Sequence, residues 1–224
     1  MAILTKERRA RLRDRIRREL NRPEEDDLFQ WPEEYDGALE RAIQHYRRLT
    51  AQHYPDVLYQ VDIITPDEDD EYAFEPPGDH LGEMELWMPP GPPRGRRILP
   101  GTPLHYEMRF YVQGGKLRLT RKRKFTPGLY IRWVPTEPDE DTPPLPKYYD
   151  NAVVLKASEL LASKPGFMGD PASYRHRSNM EWGGDPENPS DAGIIGTIER
   201  QSVDRGYENI GGDSPWWGRI TSDV

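Results

Sequence analysis

Apolar residues recur at three- and four-residue steps in three stretches of the chain, and at alternate positions in several others. The least polar helical stretch spans 145–163, where Leu145, Tyr148, Tyr149, Ala152, Val153, Leu155, Leu160 and Leu161 form one broad stripe. Pro146 fits a first helical turn, and Lys164, Pro165 and Gly166 end the run. A second helix is expected over 5–20, capped by Thr5, with a narrow stripe of Leu12, Ile16 and Leu20. A third starts near Pro32 or Asp36 and ends before Pro55, with Tyr35, Leu39, Ala42, Ile43, Tyr46 and Leu49 on one face. Strands are expected over 57–65, 82–88, 104–112, 116–120 and 129–134, with a hairpin turn at Gln113, Gly114, Gly115 and Lys116. The proline-dense segments 89–93 and 99–103 read as loops between them. The pattern predicts an α+β fold, with helices on either side of a β-rich middle that contains a hairpin.

Composition limits how much of this can be core. Only 35% of the 224 residues are hydrophobic, and 23 are proline and 19 glycine, so a modest domain with extensions is expected. The pattern divides the chain into a basic N-terminal helix with an acidic linker (1–31), a core (32–164) and a C-terminal arm (165–224). No apolar run is long enough to span a membrane, and the N-terminus lacks the apolar stretch of a signal peptide, which points to a cytoplasmic protein or part of a soluble assembly. With no cysteine, disulfides, thiolate chemistry and cysteine-ligated metals are excluded.

Charge adds more than its sum of -8 suggests. Lys6, Arg8, Arg9, Arg11, Arg13, Arg15, Arg17 and Arg18 nearly surround the stripe of the first helix, which either docks as a solvated helix or faces phosphate or an acidic protein. From 56 to 88 there are eleven Asp or Glu and no Lys or Arg, whereas 94–124 holds ten Lys or Arg against Glu107 alone. The two halves either neutralise one another within the domain or join neighbouring copies in a ring. Arg121, Lys122, Arg123 and Lys124 are the best candidates for DNA or subunit contact, with a solvated loop as the plain alternative. His45 and His53 flank an apolar stripe with no third ligand near, and the 67–71 carboxylates lack the glycine and distal glutamate of a calcium loop. No phosphate-cradling, zinc-protease or nucleophile-elbow motif occurs, so no catalytic residue, metal or cofactor is expected.

From 165 onward ten residues are glycine and five proline, yet Trp182, Ile194, Ile195, Ile198, Trp216 and Trp217 are scattered among them. Disordered tails are poor in such residues, so an extended arm with apolar anchors for a partner is expected, or one folding back on its own domain.

The order of parts resembles the head-tail connector (adaptor) proteins of long-tailed, double-stranded DNA bacteriophages. The likeness covers roughly 32–164: the helix DGALERAIQHYRRLTAQHYP, the hairpin FYVQGGKLRL, the strand FTPGLYIRWV and the helix LPKYYDNAVVLKASELLAS, then a long tail. The resemblance implies a non-enzymatic virion protein assembled in the host cytoplasm, with a small helical bundle that carries antiparallel β-hairpins and a long extended C-terminal arm. It would form a homo-oligomeric ring of twelve subunits at the head-tail junction, with its arm in the portal protein. The opposite face would receive a downstream neck or tail protein, and DNA would pass through the channel. Separated charge faces suit a closed heterologous ring. The alternative is a nucleic-acid-binding regulatory module that uses the basic helix and the 121–124 loop.

Overall fold

The structure is a computed structural model that describes residues 4–22, 28–67, 70, 72–104, 106–126, 128–137, 142–188 and 191–204. The fold is α+β, with five α-helices and a curled seven-stranded sheet among the described residues.

Helix α1 (Lys6–Glu19) starts where Thr5 Oγ1 accepts a hydrogen bond from the Arg8 amide at 3.2 Å. Helix α2 (Glu33–His53) carries Glu33, Glu34 and Asp36 in its first turn, where carboxylates complement the helix dipole. Helix α3 (Asp150–Ala162) follows a single 3-10 turn at Lys147–Tyr149, so the regular helix begins later than Leu145. Its stripe is buried against α1, α2 and α4. The shared core includes Leu12, Ile16, Leu39, Ile43, Tyr46, Tyr149, Val153 and Leu161.

The sheet order is β1-β7-β3-β4-β5-β6-β2, formed by β1 (Gln60–Ile64), β2 (Ala73–Phe74), β3 (His80–Trp87), β4 (Arg97–Pro100), β5 (Arg109–Gln113), β6 (Lys116–Leu119) and β7 (Leu129–Pro135). The continuation of β1 meets β2 at a bridge between Pro66 and Phe74, so the sheet curls into a half-barrel. Its own core holds Phe74, Leu86, Ile98, Phe110, Leu117, Leu129 and Ile131.

Several boundaries differ from the sequence expectation. The first strand begins at Gln60 because Pro55–Val57 forms a 3-10 turn. The strand expected over 104–112 begins at Arg109, and the segment before it, with Leu104 and Tyr106, is an exposed loop. Part of the expected 99–103 loop is β4, in the middle of the sheet. Pro100 is tolerated there because it ends the strand, and the Gly101 amide supplies the next bond, to the Phe110 carbonyl at 2.8 Å. The β4–β5 pair is parallel, so the strands form one sheet, not separate antiparallel hairpins.

The largest correction concerns the arm. Residues up to 204 are not extended: α4 (Pro171–Gly183) and α5 (Gly193–Asp204) fold onto the helical layer. Asp170 caps α4 by accepting from the Ala172 amide at 2.9 Å, with Pro171 in the first turn. Gly184 ends it with φ 85, a left-handed conformation that glycine adopts without strain. Trp216 and Trp217 lie outside the described residues.

Candidate functional site

The strand register places the charged loops. The last residue of β3, Trp87, pairs with Arg97 at the start of β4 and with Tyr130 near the start of β7. Ile64 at the end of β1 pairs with Leu129, Leu119 at the end of β6 with Phe110, and Ala73 at the start of β2 with Arg118. The described residues of segments 65–72, 88–96 and 120–128 therefore leave the half-barrel at one end. At the other end Arg47 of α2, fully buried, donates to the Pro135 carbonyl at 3.2 Å, and Gly82 lies so close to the Ala51 carbonyl that a Cβ would stand 2.8 Å from it. That end is fastened to the helices; the loop end points away from them.

Arg121, Lys122, Arg123 and Lys124 are all exposed at this distal end. Lys122 Nζ lies 5.0 Å from the Tyr72 ring centre and Arg123 sits 5.3 Å from that of Phe125, contacts that leave both charges in solvent. Sequence reading did not include Arg94 and Arg96, which the register brings to the same end, also exposed. The signal lay in the PPGPPRGRR run, which reads as a plain turn until the strands on either side are known.

Many cations elsewhere in the described residues are paired with carboxylates. Arg118 pairs with Asp70 at 2.7 Å, Arg97 with Glu85 at 3.1 Å, and Lys116 with Asp67. A hydrogen bond from the Tyr72 amide, aided by Arg118, holds the Asp70 carboxyl below its ordinary value. Glu85 also accepts from Arg132 at 2.9 Å and from the Trp87 indole at 3.2 Å. Burial, then the Glu85 charge, push the neighbouring Tyr59 hydroxyl well up. The acidic and basic halves thus neutralise one another in part within the domain. Exposed Glu75, Asp79 and Glu83 remain on the acidic half.

The basic helix is spent in the same way. Arg8 donates to Asp150 at 2.6 Å and to the Leu145 carbonyl at 2.7 Å; Arg11 reaches Asp150 at 2.8 Å, Arg9 reaches Glu40 at 3.0 Å and Arg13 reaches Asp36 at 3.2 Å. Arg13 and Arg17 flank the Trp31 ring at 4.8 and 5.7 Å. These side chains dock α1 on its neighbours.

The anchors of the expected arm divide. Trp182 packs near Tyr46 and Tyr149, with ring centres 5.9 and 6.3 Å away, and Ile194 and Ile198 are core residues. Ile195 is half-buried. Tyr46 shares a 2.6 Å hydrogen bond with Ser178 Oγ, and burial pushes its hydroxyl up to about 12. Burial lowers His45, which lies edge-on to Tyr46, with Lys156 adding to the effect.

A shallow cleft lined by Leu155, Arg177, Met180, Glu181 and Asp191 encloses about 220 Å³, below the ~300–1,000 Å³ of small-molecule sites. Arg177 at its wall is tied to Glu19 at 2.5 Å. Among the described residues no group of three or more His, Asp or Glu side chains is arranged to hold a metal ion, and no helix is long and apolar enough to cross a membrane. No protein-family model matches the chain, and no curated protein sequence matches it.

Proposed function

We propose that this chain is a structural, non-enzymatic adaptor of a phage virion, forming a ring between portal and tail through whose channel DNA passes. The observation that carries the reading is the loop before β5. Leu104 and Tyr106 are 90% and 88% exposed there, an apolar pair that a neighbouring copy would cover. The polarity of the half-barrel supports it: Arg94, Arg96 and Arg121 stand at one end, and exposed Glu75 and Asp79 at the end nearer the helices. Such a distribution suits heterologous contacts that close into a ring. With 165–204 folded on the helical layer, the portal-docking arm of this reading shrinks to 205–224, with Trp216 and Trp217 as its anchors. Deleting 205–224 should leave a folded core by circular dichroism while abolishing co-sedimentation with the portal; full portal binding by the shortened chain would refute the arm.

The second reading is a nucleic-acid-binding regulatory module. The exposed 121–124 loop favours it, and the internal pairing of Arg8, Arg9, Arg11 and Arg13 weighs against any role for the basic helix.

A further inference from the structure

Six cations occupy two loops at the distal end of the half-barrel: Arg94 and Arg96 between β3 and β4, and Arg121, Lys122, Arg123 and Lys124 after β6. We infer that this end is a docking surface for the phosphate backbone of duplex DNA, gripped by both loops at once and without the basic N-terminal helix.

Four observations carry it. First, availability: Arg94, Arg96 and Arg121 make no ion pair with a described carboxylate, whereas Arg8, Arg9, Arg11, Arg13, Arg97, Arg118 and Arg132 each do. Among the described carboxylates at the same end, Asp67 is occupied by Lys116, Asp70 by Arg118 and Glu107 by Arg109.

Second, spacing. In the sheet order β4 and β6 are separated by β5 alone. At about 4.8 Å per strand the two loops rise roughly 10 Å apart. Duplex DNA presents a charge about every 1.7 Å along its axis, so extended arginine and lysine side chains on both loops can reach one backbone.

Third, the β3–β4 loop is held in shape. The Met88 amide bonds the Arg96 carbonyl at 2.9 Å and the Gly95 amide the Gly91 carbonyl at 2.5 Å. Gly91 has φ +84 and lies against the Tyr130 ring, and a Cβ on Gly95 would stand 2.1 Å from the Met88 carbonyl. With Pro89, Pro90, Pro92 and Pro93 between them, these contacts fix the backbone before any ligand arrives, so little ordering entropy is left to oppose binding.

Fourth, the rest of the molecule repels a polyanion. A chain of net charge -8 meets DNA only where its cations cluster, and that end points away from the helical layer. Duplex DNA is favoured over an acidic protein because the cations are exposed side chains spread over two loops, an arrangement that suits contact with successive backbone phosphates. The inference concerns the single chain and holds whether or not a ring forms.

The test is fluorescence anisotropy of a labelled 25-bp duplex titrated with the full chain between 50 and 200 mM NaCl. Four to five phosphate contacts predict a loss of affinity of about one hundred- to five hundredfold over that range. Arg94→Ser with Arg96→Ser should weaken binding and lower the log–log salt slope by about 2, and separately Arg121→Ser with Lys122→Ser and Arg123→Ser should lower it by about 3. Arg41→Ser with Arg48→Ser, exposed cations on α2, should change neither. Circular dichroism verifies that each variant is folded, and the unaltered chain decides alone if one is not. Absence of salt-dependent binding by that chain overturns the inference, as does equal loss in the α2 variant. Displacement of the duplex by poly-glutamate at equal charge concentration would reassign the surface to an acidic protein and overturn it too.

Discussion

Asp150 is the carboxylate on which the docking of α1 turns, because it accepts from both Arg8 and Arg11 and its side chain is only 10% exposed. Asp150→Ala would leave the largely buried Arg8 guanidinium without its charge partner. We expect a loss of about 3 kcal/mol in urea unfolding, with Asp150→Asn milder because it keeps an acceptor. Glu34 and Glu159 set the acid limit. The Lys164 hydrogen bond lowers Glu34 below 4.5. Burial pushes Glu159 up, but hydrogen bonds and charge from Lys156 and Arg175 outweigh it, so it too lies below 4.5. Groups lowered on folding contribute stability above their unfolded values and lose it as the pH falls through the folded ones. The melting temperature should therefore fall as the pH drops below about 4.5, and Lys164→Met should flatten that fall. Tyr46 works in the opposite sense: raised from 10.0 to about 12, it favours folding below pH 10 and ceases to as the pH climbs through 12.

At the scale of elements, α5 is held by Ile194 and Ile198, one helical turn apart and both in the core. Replacing either with Ala should cost about 2–4 kcal/mol in a denaturant melt, as a buried side chain leaves a cavity; an anchor waiting for a partner would cost almost nothing. Deletion of everything from 165 would remove this packing and Trp182 with it, so a stable core requires residues up to 204. The three long helices were legible because their stripes repeat over several turns, and β3, β6 and β7 because alternation and turn glycines agree. Helix α4 was missed although Asp170, Pro171 and Gly184 mark both its ends, since Tyr174, His176 and Trp182 form no simple stripe. Gly193 and Gly196 hid α5 in the same way. The candidate site was half legible. The 121–124 cations stand out in one dimension, whereas Arg94 and Arg96 join them only through pairings between β3, β4, β5 and β6, which periodicity does not encode.

The whole molecule is a helical layer fastened to one end of a half-barrel whose other end carries exposed cations. The fastening is polar as well as apolar: buried Arg47 bonds the last residue of β7 from α2, at a junction where Val134 and Leu81 join the helical core. The two parts are expected to unfold together, and coincident transitions in far-UV circular dichroism and tryptophan fluorescence would show it; two separated transitions would show independent units. Opposed charge and a bare apolar loop make sense if copies of this chain meet one another and a portal, which is the central claim. Native mass spectrometry of the full chain, alone and mixed with its cognate portal at moderate salt, tests it most directly. The account predicts a closed ring, or a monomer that loads onto the portal in one fixed multiple. A monomer or dimer indifferent to the portal at every ratio would contradict it.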